Sequence, residues 1–156
     1  MKSLRILNDA KFHQDITFDK KVLIVKPNYS AFPVGLAYVL ACLEEHNIPF
    51  SLLDLDRTEN WEQDLREALS TNEYFVVGTG GLLGDYPFFQ QLSEVVKDCN
   101  PEIPLVMGGN ITKDAGDELL FEIIKIDYGV VGEAEVSFPE LLHAIYTKTD
   151  NFSEIS

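Results

Sequence analysis

The sequence predicts a doubly wound α/β domain on a five-stranded parallel sheet. Five short apolar runs alternate with five stretches of helical period, and glycine-rich turns follow most of the runs. The runs lie at 22–25, 50–55, 74–77, 104–107 and 128–131, and their β-branched and aromatic residues are nearly continuous. Parallel strands covered on both faces read this way, whereas half-solvated strands alternate.

Each helix follows from spacing. Leu36, Val39, Leu40 and Leu43 fall at i, i+3, i+4 and i+7 after the first run. Trp61, Leu65, Ala68 and Leu69 follow the second run, and Phe88, Leu92, Val95, Val96 and Cys99 follow the third. A weaker stripe, Leu119, Leu120, Ile123 and Ile124, follows the fourth, and Phe138, Leu141, Leu142 and Ile145 follow the fifth. Strands alternating with helices of this length imply right-handed crossovers and a parallel sheet. The expected architecture is therefore flavodoxin-like (Rossmann-like), with strand order 2-1-3-4-5. Residues 21–147 make this unit. Residues 1–20 lack a clear period and read as an arm or extra edge strand. Residues 148–156 are polar and read as a linker stub toward a further domain.

The 156 residues hold 46% apolar and 24% charged side chains, an ordinary globular balance that needs no disulfides. Cys42 and Cys99 stand apart inside amphipathic stretches, so each reads as a small core residue in a reducing compartment. The formal charge of −14, from 26 acids against 12 bases, repels phosphate backbones and acidic membrane surfaces and argues against nucleic acid as a partner. No apolar run approaches the ~20 residues of a membrane span, and the opening residues lack the apolar core of a secretion signal. A cytoplasmic protein is expected.

In a doubly wound sheet the ligand lies beyond the carboxyl ends of the strands, so function is sought in the loops there. The first loop is Lys26-Pro27-Asn28-Tyr29-Ser30-Ala31-Phe32-Pro33-Val34-Gly35. The third is Gly78-Thr79-Gly80-Gly81-Leu82-Leu83-Gly84, the fourth Gly108-Gly109-Asn110-Ile111-Thr112, and the fifth Gly132-Glu133-Ala134-Glu135. Glycine removes side chains where backbone must approach something flat or large. The loops add hydroxyls and amides with almost no positive charge. Three such loops on one sheet edge favour a binding site over mere tight turns.

Other chemistries fall away. Gly78–Gly84 lacks the third glycine of a dinucleotide fingerprint and follows the wrong strand, and no P-loop motif occurs. His13, His46 and His143 read as surface residues, His46 at a helix C-terminus where a cation complements the dipole. Asp54 and Asp56 resemble a response-regulator acid pair only superficially, with no lysine loop to complete it. Glu133 and Glu135 suit the start of a helix, a capping role. No nucleophile stands with a base at useful spacing, and no metal quartet is present, so no catalytic residue and no metal ligand is assigned.

Taken together the loops resemble the cobalamin-binding domain of cobalamin-dependent radical SAM enzymes. The resemblance rests on Lys26-Pro27-Asn28, Pro33-Val34-Gly35-Leu36-Ala37-Tyr38, Leu53-Asp54, Val76-Val77-Gly78, the stretch from Ile103 to Thr112, and the stretch from Ile126 to Glu135 running on to Phe138-Pro139-Glu140-Leu141-Leu142. It covers residues 21–147. It implies cobalamin as cofactor, with Asn28, Ser30, Phe32, Thr79, Gly80, Gly81, Leu82, Leu83, Gly108, Gly109, Asn110, Thr112, Gly132 and Glu133 around it. Leu82, Leu83, Ile111 and Phe32 would meet the corrin ring, Thr79 and Thr112 its amides and nucleotide tail, and the glycines at 80, 81, 108 and 109 would leave room for that tail. The Asp-x-His-x-x-Gly motif that puts a histidine on cobalt would, anchored on Gly35, fall on Ser30 and Phe32, which implies a corrin without protein ligation. The Cys-x3-Cys-x2-Cys run of the radical SAM half is absent, so the iron–sulfur cluster and S-adenosylmethionine would belong to a C-terminal radical SAM domain outside these residues. Two other readings stay open: a site for another flat cofactor such as flavin, although Pro27, Tyr29 and Pro33 argue against a phosphate cradle, and a ligand-free protein-interaction domain.

Overall fold

A computed structural model describes residues 16–29 and 31–148. Five parallel strands, β1 (Lys21–Lys26), β2 (Phe50–Asp54), β3 (Tyr74–Gly80), β4 (Leu105–Gly108) and β5 (Tyr128–Gly129), form one sheet in the order β2-β1-β3-β4-β5. Each strand is followed by a helix: α1 (Val34–Glu45), α2 (Trp61–Ser70), α3 (Tyr86–Cys99), the short α4 (Asn110–Asp114) and α5 (Ala134–Thr147). The expected flavodoxin-like sheet and its strand order are both present.

Successive strand residues point to opposite faces, and this divides the core into two layers. Val22, Ile24, Val76 and Val106 turn toward α1 and α5, where Leu43, Phe138, Leu141 and Leu142 are buried. Leu23, Val25, Val77, Leu105 and Met107 turn the other way, onto Leu65 of α2 and Phe89, Leu92 and Val96 of α3. A parallel strand buried on both faces needs this continuous apolar run, which is why the strands were legible.

Local signals set the helix boundaries. The Asn60 side chain accepts from the Gln63 N–H (3.2 Å) and caps α2. Pro87 occupies the first turn of α3, where a missing N–H costs nothing. The weak stripe at 119–124 is a π-helical turn (Glu118–Ile124), which turns Leu120 and Ile124 inward but leaves Ile123 exposed. The Asp127 carboxylate accepts from the Leu105 N–H (2.7 Å) and the Lys97 ammonium (2.7 Å), fixing the entry of β5 beside β4.

Several expectations are corrected. β5 ends at Gly129 rather than 131: the Val130 N–H still bonds the Met107 carbonyl (2.8 Å), and Gly132, at φ +93°, lies on the turn toward α5. In α3 the fully buried aromatic is Phe89, with Phe88 half-buried against Trp61. Cys42 is buried as expected, but Cys99 is exposed at the end of its helix. His143 packs edge-on against Phe18 (5.1 Å), and His46 is half-buried with Nδ1 2.8 Å from the Cys42 carbonyl, so neither is a plain surface histidine. Residues 16–20 form no strand; Phe18 instead packs on Phe75 and Tyr146 beneath β3. The remainder of the proposed arm, with His13, and all but the first residue of the proposed linker lie outside the described residues.

Candidate functional site

The chain leaves β1 for β2 on one side and reaches β3 on the other, so the strand order reverses between β1 and β3 and a crevice opens at their carboxyl ends. A cavity of about 590 Å³ fills this crevice. Its inner wall is apolar: Ile24 and Val106 from the sheet, Val130 just past β5, Leu36 and Val39 from α1, and Phe138 from α5. Tyr29, Thr79, Asn110, Glu133 and Glu135 add polar side chains to its lining. Among the described residues the wall holds no lysine, arginine or histidine.

The glycines of this edge have three separate jobs. Gly78 makes room within the fold, since a Cβ there would fall 2.9 Å from Ile24 and 3.1 Å from Phe138. Gly80 and Gly109 let backbones meet: a Cβ on Gly80 would lie 2.5 Å from the Gly108 carbonyl oxygen, and one on Gly109 3.1 Å from the Gly81 nitrogen. Gly109 also has φ +85°, which side chains resist. Gly35 and Gly108 differ from these. A Cβ on Gly35 meets nothing within 4 Å, and one on Gly108 meets only Val130, at 4.0 Å. Both line the cavity, so there the missing side chain is volume left open.

Nine of the residues singled out from sequence come together on the wall: Thr79, Gly80, Gly81, Leu82, Gly108, Gly109, Asn110, Gly132 and Glu133. Thr79 Oγ1 donates to the Val25 carbonyl (3.0 Å), tying β3 to β1, so its hydroxyl faces the cavity only as an acceptor. Four others lie off the wall. Asn28 and Phe32 are exposed on the β1–α1 loop, and Leu83 opens the 3-10 turn Leu83–Asp85. Thr112 is buried, its hydroxyl within bonding distance of the Gly109 and Val130 carbonyls (2.8 and 2.7 Å), so it braces the loop and offers no proton to a ligand. Ile111 is also corrected: it is fully buried in the layer of α2 and α3, away from the cavity. Ser30 lies outside the described residues.

The sequence reading missed the inner wall itself, which looked like ordinary core, and it missed Tyr29. The Tyr29 hydroxyl donates to Asp85 (2.6 Å) and accepts from the Leu82 N–H (3.3 Å), so its ring bridges the first and third loops above Gly81. Burial, together with the Asp85 hydrogen bond, pushes the Tyr29 phenol up to about 12. It also missed Lys26. Its buried ammonium lies between Asp54 (2.9 Å) and Asp56, so a lysine does join the acid pair, though from β1 rather than from a loop. Burial alone would lower the Lys26 pKa, but the hydrogen bonds it donates to both aspartates outweigh it and raise the value. The same bond holds Asp54 below its usual range.

The architecture is that of a flavodoxin-like domain with a cavity at the switch point. A family model, the B12 binding domain, matches residues 20–142, and the chain belongs to that family. No curated protein matches it. Among solved structures it is similar to the cobalamin-dependent S-adenosylmethionine radical enzyme OxsB (TM-score 0.69, 13% identity), covering 92% of this chain and 20% of that one. It is also similar to a CheY-like protein, TadZ, from Pseudomonas aeruginosa (TM-score 0.60, 11% identity, 81% of this chain and 99% of that). A putative pilus assembly-related protein from Burkholderia pseudomallei shares the fold too (TM-score 0.55, 10% identity, 90% and 96%). The chain thus spans one fifth of OxsB and nearly the whole of the two smaller proteins. At these identities the likeness concerns the fold.

Proposed function

We propose that this chain is the cobalamin-holding module of a cobalamin-dependent radical SAM protein, and that it presents the corrin to a catalytic domain without placing a histidine on cobalt. One observation carries the reading: in a domain of the B12-binding family, the apolar cavity is bordered by backbone at Gly35 and Gly108, where a side chain would fill it. Cavities of this size admit a nucleotide-sized group. The tail would enter between β1, β3 and β4. The ring would rest on the apolar rim, where Phe32, Val34, Leu82 and Val131 are exposed. Backbone N–H groups at the starts of α1 and α5 would meet the rim amides. When bound, cobalamin would supply cobalt–carbon chemistry for methyl transfer or related radical steps; the chain's own task is to bind and orient.

The donor set fits this cofactor better than its rivals. A flavin phosphate or a dinucleotide wants cations or a glycine cradle after β1, and the wall offers neither. Phe32 stands where a cobalt-ligating histidine would, and no described wall residue replaces it.

Reconstitution with hydroxocobalamin followed by desalting tests the reading. A cobalamin spectrum that travels with the protein is expected, at near one equivalent. Electron paramagnetic resonance of the reduced cob(II)alamin complex should lack superhyperfine splitting from a protein nitrogen. Loss of all colour on desalting would sink the cofactor assignment, and nitrogen splitting that a free-base control does not show would sink the unligated form.

A further inference from the structure

The end of β1 carries a buried cation for which cofactor binding alone provides no use. Besides Asp54 and Asp56, the Lys26 ammonium donates to the carbonyl oxygens of Pro27 (3.3 Å) and Tyr29 (3.3 Å). The Tyr29 N–H in turn donates to the Pro27 carbonyl (2.9 Å), closing a three-residue turn. Two of the turn's three carbonyls, those of Pro27 and Tyr29, therefore point at one ammonium, which two aspartates from the end of β2 and the turn after it hold in place. Asp54 is itself fixed by the Asp56 N–H (3.2 Å) and by Arg57 (3.6 Å). From the turn, the Tyr29 ring crosses to Asp85 and Leu82.

We propose that Lys26 is a positioning residue for the cavity. Its ammonium, clamped by Asp54 and Asp56, fixes the turn at 27–29, and Tyr29 carries that order across to the β3–α3 loop. The mouth is thereby set before any ligand arrives. Preorganisation of this kind removes the cost of ordering a loop on binding. The alternative is that the three charges only stabilise the sheet edge. The two differ in where order is lost when the clamp is removed. The affinity part of the proposal rests on the cofactor reading above; the loop-ordering part does not.

Lys26→Met alone would leave two aspartates facing an apolar stem, so the informative variant is Lys26→Met/Asp54→Asn/Asp56→Asn, with Tyr29→Phe as a second probe. Amide hydrogen exchange followed by mass spectrometry reads the loops directly. In the triple variant, exchange at 28–36 and 81–85 should quicken about tenfold while β3 and β4 keep wild-type rates. In Tyr29→Phe the quickening should be confined to 81–85. Hydroxocobalamin affinity should fall about tenfold in the triple variant. Unchanged loop exchange would overturn the proposal, as would exchange that quickens equally through β4, which is general destabilisation. Loosened loops with wild-type affinity would overturn the link to binding. If wild-type protein retains no cobalamin, the cofactor reading fails, and the exchange pattern still decides whether Lys26 orders the loops.

Discussion

Gly80 and Gly108 face each other across the ends of β3 and β4, yet a side chain would do different harm at each. At Gly80 a new Cβ meets the Gly108 carbonyl oxygen at 2.5 Å, and backbone cannot rotate away as a side chain can. At Gly108 the nearest atoms are 4.0 Å off and the cavity lies open. Gly108→Val should therefore weaken hydroxocobalamin binding at least tenfold, about 1.4 kcal/mol, with the melting temperature nearly unchanged. Gly80→Val should lower the melting temperature by several degrees whether or not ligand is present. Paired calorimetric melts and spectrophotometric titrations check this. Equal affinity in wild type and Gly108→Val would mean that the cavity is not the site. Composition alone could not separate these glycines, because both read as a strand-end glycine; only the distance across the sheet tells them apart.

At the scale of elements, the clamp joins the ends of β1 and β2 through charge, and its contribution depends on pH at both ends. Lys26 hydrogen bonding holds Asp54 below its ordinary 3.8, so the stabilisation it brings is complete above that value and is lost as pH falls through the lower folded value. The Lys26 pKa is raised above 10.5 despite its burial, so its contribution is complete below that value and is lost as pH climbs through the higher folded one. Between the two limits Lys26 and Asp54 are both charged. Removing one partner would strand the others, the costly case for buried ions, whereas neutralising all three costs much less. The melting temperature of the wild type should therefore drop more steeply below about pH 4 than that of Lys26→Met/Asp54→Asn/Asp56→Asn, by a few degrees. Parallel acid limbs in scanning calorimetry would show that the pair is not coupled to folding. The sequence hid this device, since Lys26 and its aspartates are separated by 28 and 30 positions.

For the molecule as a whole, the sheet was legible because burial on both faces leaves so little choice of residue. Val22, Leu23, Ile24 and Val25 serve two cores at once, and no polar residue interrupts them. The order β2-β1-β3-β4-β5 is the doubly wound arrangement expected for five units, and the sheet has it. The site was legible as a sheet edge but less well as individual side chains. Ile111 and Thr112 stand two and three residues beyond a glycine at φ +85°, at the start of α4, and sequence spacing does not tell which way the helix turns them. Phe138 and Val39 follow helical period as core residues do, and nothing in the period tells that their layer is incomplete near the strand ends.

The burial of Cys42 beside an exposed Cys99 gives the protein an internal clock. Cys42 lies where α1 meets α5, its thiol donating to the Glu135 carbonyl (2.6 Å), and burial pushes its pKa up, so thiolate is scarce there. Cys99, at the far end of α3, is open to solvent. A thiol reagent should consume Cys99 at once and wait at Cys42 for the two helices to part. Since Glu135 and Phe138 of α5 line the cavity, a molecule held there should slow the second reaction by the factor 1 + [L]/Kd, whatever its colour or chemistry. Cyanocobalamin at saturating concentration is expected to lengthen the Cys42 labelling time and leave Cys99 untouched. Labelling of Cys42 at the same rate with and without it would mean that the ligand does not hold these helices together.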